Sequence, residues 1–533
     1  MTTNNKTNAF LQALYQYDAH TENGAVSNST TGSVLVDYFA KAGTYRGREQ
    51  NEVNKDMTRL WNDSPLYTLR MLFYLRTVSR KSHGFHGKIT AQLQNGQGSR
   101  DEFRKGLTWL AKNQPEALYK NLWLVPLVGS WKDLWHDEML GVLHFGEVVS
   151  LIKKGLDDPY HRALIAKYLP RIKSKASRHL DIHEKRHAWT MRLCKELGWS
   201  GKDYRKLKSA PEHKAHIWQR QMSANEWDGI DFKTIAGRAL FALASKRGRD
   251  GKTTIERHAL EGQYTAWLEK QPAVKFTGFV YELFEQAITK ASIAQKMTYN
   301  KQFDGLIAQA REDSIGLQEN VWCALDTSGS MGVQVLPNVS AYGICLSLGI
   351  YFSTLNTGAF QNHVVMFDNT SYVKKLSGTF CDKIGQLRRE RTAWGATNFQ
   401  SVIDAIVELR KNNPKIPVSD FPTTLLVVSD MQFNPVGGNT QSNYKAAMQK
   451  LADAGLPKMK IIWWFVTGRG KDFPSEISDE GVTMIGGFDG SIVRLLLGAE
   501  PVVDAKTGQT RQMNAYENMV KALQQELLKE ITI

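Results

Sequence analysis

Cysteine is scarce in this chain, with four among 533 residues. Cys194, Cys323, Cys345 and Cys381 lie far apart and form no C-x-x-C, which excludes a disulfide framework and the compact cysteine motifs of zinc and dithiol chemistry. Reduced, buried thiols are expected. Long apolar runs are also lacking: no stretch approaches the ~20 residues of a membrane helix, and the first residues carry no apolar core of a secretion signal. A cytoplasmic protein with no membrane partner is therefore expected, and Asn28-Ser29-Thr30 is discounted as a glycosylation sequon. No Walker A motif is present, because Gly248-Arg249-Asp250-Gly251-Lys252-Thr253 lacks the earlier glycine and follows no strand, so the chain is not itself a motor. His183-Glu184-Lys185-Arg186-His187 spells H-E-x-x-H. Zincin helices are buried and keep the two middle positions uncharged, whereas these are Lys and Arg with no third ligand in view, and that reading is set aside.

The chain does contain enough apolar sequence for more than one core: 42% of residues are hydrophobic and 23% charged, and 533 residues imply two or three domains. The net charge is +15, and its placement is uneven. Residues 151–260 carry about +13 of it, while residues 301–533 sum to about −1. A basic block beside a neutral half points to a polyanion bound by the first half.

The neutral half holds the most specific motif. Val321-Trp322-Cys323-Ala324-Leu325 has the apolar pattern of a strand buried on both faces, and Asp326-Thr327-Ser328-Gly329-Ser330 follows it directly. One carboxylate and two hydroxyls at alternate positions can turn their oxygens to one point where the strand ends, and hard oxygen donors suit Mg²⁺, with Mn²⁺ or Ca²⁺ as alternatives, better than zinc. Two further pieces follow in order. Thr397 opens an amphipathic helix after Trp394-Gly395-Ala396, and Asp430 ends the apolar run Thr424 to Ser429. Helix capping explains each of these polar residues singly but not the three strand-end positions together. A haloacid-dehalogenase phosphatase needs a second Asp two residues after the first, and Ser328 stands there instead.

From about residue 33 to 300 the periodicity is helical. Ser64-Pro65 and the box Ser99-Arg100-Asp101-Glu102 mark helix starts, as do Ser130 and Ser200, each with an Asp three residues on. Pro115, Pro126, Pro170 and Pro211 fall at helix boundaries. The expectation is an irregular array of helix pairs, a HEAT-like solenoid. After about 315, short strands (321–326, 362–367, 423–429, 459–466, 482–485) alternate with helices near 338–356, 397–411 and 441–454 and after Asp489, as in parallel βαβ units. Expected domains are a poorly ordered segment 1–32, a helical domain 33–314, an α/β Rossmann-like domain 315–500, and a closing helix within 501–533 that packs on the helical half.

Asp326, Ser328, Ser330, Thr397 and Asp430 resemble the metal-ion-dependent adhesion site of von Willebrand factor A domains. That resemblance implies a cation held directly or through water, with one position open to a carboxylate or phosphate from a partner. A second set, Ser64 to Arg76, Gly96 to Arg104, Lys202 to Leu207 and Ile230 to Ala239, resembles an uncharacterised sister family of the Ro autoantigen proteins, which joins a TROVE-like helical ring to a von Willebrand A domain. In Ro proteins the ring holds misfolded RNA ends in its hole and structured small RNA on its outer face. Residues 79–95 depart from the pattern as an extended loop.

The resemblance directs attention to the basic block. Lys167, Arg171, Lys173, Lys175, Arg178, Lys185, Arg186, Lys202, Arg205, Lys206 and Lys208 interleave with Tyr204, Tyr168, Trp189, Trp199 and Trp218. Cations neutralise phosphates and aromatic rings stack on unpaired bases; the plainer reading makes the rings helix core and the cations a solvated face. Three functions remain in contention. The first is a non-enzymatic, Ro-like ribonucleoprotein module that binds RNA through 151–260 and docks a protein at the cation site. The second is a metal-dependent adaptor without RNA. The third, a metal-dependent nuclease or phosphatase, is disfavoured by the lack of a second carboxylate cluster and general base.

Overall fold

The computed structural model describes residues 18–78, 80–85, 89–171, 181–209, 217–312, 320–390, 394–490, 502–503 and 510–533. The chain divides into two compact units that interleave along the sequence: a sheet unit of Met1–Tyr45, Phe279–Ala291 and Gln309–Ala522, and a helical unit of Arg46–Gly278, Ser292–Ala308 and Leu523–Ile533.

Six strands form the central sheet: β1 Val321–Asp326, β2 His363–Phe367, β3 Ser371–Lys375, β4 Thr424–Ser429, β5 Lys460–Phe465 and β6 Val482–Gly486. Their order is β6-β5-β4-β1-β2-β3, all parallel except the edge strand β3, which runs antiparallel to β2. Every residue of β1 and β4 is buried, as continuous apolar runs covered on both faces require. The helix Ala341–Leu355 lies on β1 closely enough that a Cβ at Gly349 would stand 2.4 Å from Leu325 Cδ1. Tryptophans fill the other side. Trp463 packs on Phe399 and Phe433 with ring centroids 5.1 and 5.4 Å apart, and its indole donates to Ser475 Oγ at 2.9 Å.

The five strands expected from apolar runs are found within a residue of their expected ends. Strand β3 was not legible because Ser-Tyr-Val-Lys-Lys is half polar and sits on an edge. The helix Phe380–Arg389, closed by the reciprocal cap of Thr379 and Asp382, was missed as well. The helix expected after Asp489 falls largely outside the described residues.

The linear division at residue 315 is not the observed one. Residues 18–32, expected to lack order, form a short hairpin in which Ala19–His20 pairs with Val26–Ser27, and the helix Val34–Ala42 packs on β6 within the sheet unit. The helix Val280–Ala287 likewise packs on Ala341–Leu355. The single closing helix resolves into Ala515–Ala522 in the sheet unit and Glu526–Lys529 in the helical unit.

In the helical unit, Ser64 caps Pro65–Arg76 and Ser200 forms its box with Asp203. The box expected at Ser99 does not form: Glu102 is drawn off by Arg48, whose Nε and Nη2 donate to it at 3.1 and 2.7 Å. Residues 80–83 and 89–94, expected as loop, pair as an antiparallel hairpin. At the centre, the fully buried Asp133 accepts from Arg76 Nη2 at 2.7 Å and Arg104 Nη2 at 2.9 Å and caps Ser130 N at 3.0 Å. Removing this carboxylate takes from two guanidinium groups the buried acid they share. Asp133→Ala is expected to destabilise the helical unit by about 3–5 kcal/mol, read as a lower urea midpoint in far-UV circular dichroism; a midpoint within error of the wild type would refute the triad's role.

Candidate functional site

Strand β1 continues to β2 on one side while β4 continues to β5 on the other, so the β1–β4 crevice is the topological switch point where open α/β sheets bind ligands. Asp326 ends β1 and Asp430 follows β4. Both oxygens of Asp326 are fixed by the protein: Ser328 N donates to Oδ1 at 2.9 Å and Ser429 Oγ to Oδ2 at 2.5 Å. Ser328 Oγ and Ser330 Oγ stand 3.2 Å apart, and the Ser330 side chain hydrogen-bonds to Asp430. Gly329 N donates to Gly395 O at 3.1 Å, which ties this loop to the one carrying Thr397. Thr397 N in turn donates to Asn434 Oδ1 at 3.1 Å. The five residues are thus brought to the carboxyl end of β1 and β4, all buried except Ser330, which is half-buried.

Burial raises the Asp326 carboxyl well above the usual carboxylate range, and the neighbouring Asp430 raises it further; burial also raises Asp430. Among the described residues neither acid forms an ion pair. Two carboxylates crowded in a dry crevice stabilise a proton or a cation between them. Among the described residues no three His, Cys, Asp or Glu side chains converge, so a cation here would rest on two carboxylates and the hydroxyls of Ser328, Ser330 and Thr397, a hard-oxygen set that fits Mg²⁺, Mn²⁺ or Ca²⁺. The sequence reading missed Ser429, Gln432, Asn434 and the rim residue Trp394, whose half-exposed ring packs at 5.1 Å from that of Tyr342. The Ser429-Asp430 pair was the available clue.

The basic block sorts by burial. Lys167, Arg171, Lys185, Lys202, Arg205 and Lys206 are exposed. Arg186 is spent on a two-pronged pair with Asp137. Lys208 caps the helix Pro159–Tyr168, donating to Ala166 O at 2.6 Å and Leu169 O at 2.8 Å; burial and then Arg171 lower it to about 8. Tyr204 corrects the stacking expectation: it is buried, and its hydroxyl donates to Pro170 O at 2.6 Å. Trp218 is buried too, and Trp189 packs on Trp135 and Phe145. Lys173, Lys175 and Arg178 lie outside the described residues. Lys167, Arg171, Arg205 and Lys208 line one concave cleft of about 630 Å³ in the helical unit. His183 and His187 share the helix Asp181–Glu196, and among the described residues no third ligand joins them.

Fold and geometry define a two-part protein, a helical unit with a basic cleft and an open α/β unit with a carboxylate–hydroxyl site at its switch point. Two family models match, both describing domains of unknown function: DUF2828 over residues 21–154 and DUF7788 over residues 321–531. The second span takes in all five residues of the candidate cation site. The uncharacterized protein L728 of Acanthamoeba polyphaga mimivirus is 23% identical over 512 residues, covering 90% of this chain and 84% of its own. Among solved structures, the Ro (RSR) protein of Deinococcus radiodurans aligns with a TM-score of 0.43 at 14% identity, over 94% of this chain and 100% of that one.

The raised Asp326 sets a pH dependence. The folded state holds a proton that the unfolded carboxyl loses near pH 4, so stability without divalent cation falls as pH rises above about 4. In EDTA, Asp326→Asn is expected to flatten that fall in melting temperature; a variant that keeps the full wild-type slope would locate the effect elsewhere.

Proposed function

We propose that this chain is a Ro-like RNA-binding protein without catalytic activity of its own, in which the helical unit binds RNA and the sheet unit carries a divalent cation that docks a partner. The observation that carries the RNA reading is the cleft itself: Lys167, Arg171 and Arg205 present exposed cations around one concavity, with Lys202 and Lys206 on the same short helix as Arg205. Phosphates are bound by such clusters through charge and counterion release. The burial of Tyr204 and Trp218 removes the two rings best placed to stack bases, so recognition would rest on the backbone and on RNA shape. The sequence likeness to the Ro sister family supports the same assignment.

Nitrocellulose filter binding with a single-stranded RNA tests it. Charge reversal at Lys202, Arg205 and Lys206 together is expected to weaken binding more than about tenfold and to reduce the salt slope by about 2. Absence of wild-type binding at about 50 mM salt would sink the reading.

The second reading, a protein adaptor, draws on the cation site. Its donor set and the crowding of Asp326 with Asp430 favour a metal in the manner of a von Willebrand A adhesion site, ligated by Asp326, Ser328, Ser330, Thr397 and Asp430. Mn²⁺ is then expected to raise the melting temperature of the full chain by several degrees, and not that of Asp326→Ala; equal response in both would rule the site out.

A further inference from the structure

In the helical unit, the helix Pro159–Tyr168 starts at a cap that fixes its first turn: Asp158 Oδ1 accepts from Tyr160 N at 2.9 Å and from His161 N at 3.0 Å. His161 is buried, with Trp131 Nε1 at 3.1 Å from its Nδ1 and His83 O at 3.1 Å from its Nε2. An indole N–H can only donate and a carbonyl can only accept, so the imidazole is neutral and carries its proton on Nε2. That proton ties the end of the strand Arg80–His83 to the helix.

Tyr160 stands outside this buried pair. At 48% exposure it is the most exposed Phe, Tyr or Trp among the described residues of the helical unit. A single exposed ring is ordinary; this one is braced. The His83 ring lies along it with centroids 4.3 Å apart and planes 32° apart, and His161 meets it edge-on at 5.4 Å. Because His161 holds the His83 backbone, the brace is itself fixed, and an incoming flat ligand would lose little side-chain freedom to order the site. The same helix also reaches the basic cleft. Lys167, one of the cleft's cations, lies seven residues after Tyr160, on the same stripe of the helix and about 10 Å along its axis.

We infer that Tyr160, backed by His83, is a platform on which one unpaired base of a single-stranded RNA stacks, while phosphates of the same strand lie on Lys167, Arg171 and Arg205. This rests on the RNA reading of the cleft and adds a base contact to it. Every base has a π-face, so the contact is tolerant of sequence, and it selects against duplex, whose bases are already stacked on one another.

The test is binding of the full chain to a short single-stranded RNA carrying 2-aminopurine, compared with an abasic strand of the same length and charge. Wild type is expected to bind the RNA more tightly than the abasic strand and to quench the 2-aminopurine fluorescence. Tyr160→Ala is expected to bind the RNA at least about fivefold more weakly and to lose the quenching, Tyr160→Phe to retain both, and the salt slope to stay unchanged in each. Both variants are expected to bind the abasic strand as the wild type does. If the wild type binds neither strand, the RNA reading falls and this inference with it. If the wild type binds RNA and Tyr160→Ala binds it equally well, the cleft stands and Tyr160 is not a platform. An equal loss of RNA and abasic strand in Tyr160→Ala would mark the ring as a support of the fold and overturn its role in stacking.

Discussion

A carboxylate with both oxygens held inside a dry crevice is the constraint on which the sheet unit depends. Asp326 can sit there because Ser328 N and Ser429 Oγ hold one oxygen each, and because β1 and β4 end at the same level, Leu325 standing opposite Val428. That register follows from two apolar hexads lying side by side with their polar ends at one edge. From it descend the meeting of the loops after β1 and β4, the tie from Gly329 to Gly395, and the position of Cys345 beneath, whose thiol lies 3.6 Å from Asp326 O and 3.4 Å from Val428 O. Burial pushes that thiol far up, so it remains a protonated packing group.

The backbone bends sharply where the polar residues gather. Trp394 and Met431 both adopt positive φ, 48° and 66°, a conformation that side chains with a Cβ take at some cost. Met431 follows Asp430 directly, and its N–H is turned to Ser429 Oγ at 2.8 Å. One hydroxyl therefore stabilises both the strained turn and the Asp326 carboxylate, which links the shape of the β4 loop to the charge of the site.

Much of this was legible in the sequence because β1, β2, β4, β5 and β6 are short, predominantly apolar runs that are almost wholly buried. The cation-site residues were legible because each follows such a run or opens a helix. What was not legible depends on partners distant in sequence. Ser99 and Glu102 spell a cap that Arg48 prevents, and Tyr204 alternates with cations like a stacking residue although its hydroxyl serves Pro170 O. The polar segment 18–31 has the composition of a loose tail. Its order comes from side-chain amides more than 400 residues away, such as Asn439 and Gln432, which no local pattern announces.

The interleaving of the two units also governs how the chain can be divided. A fragment starting at the sequence boundary near 315 would lack the helix Val34–Ala42. Lys41 of that helix places its ammonium 3.8 Å from the centre of the Phe473 ring and donates to Gly470 O and Asp472 O, while Ala40 O lies against Gly486 of β6. The sheet's outermost parallel strand would then show an apolar face to water, with the donors and acceptors of its neighbouring loop unmatched. The sheet unit is thus completed by residues that precede most of the helical unit in the chain, and they must wait, through Arg46–Gly278, for the strands they cover.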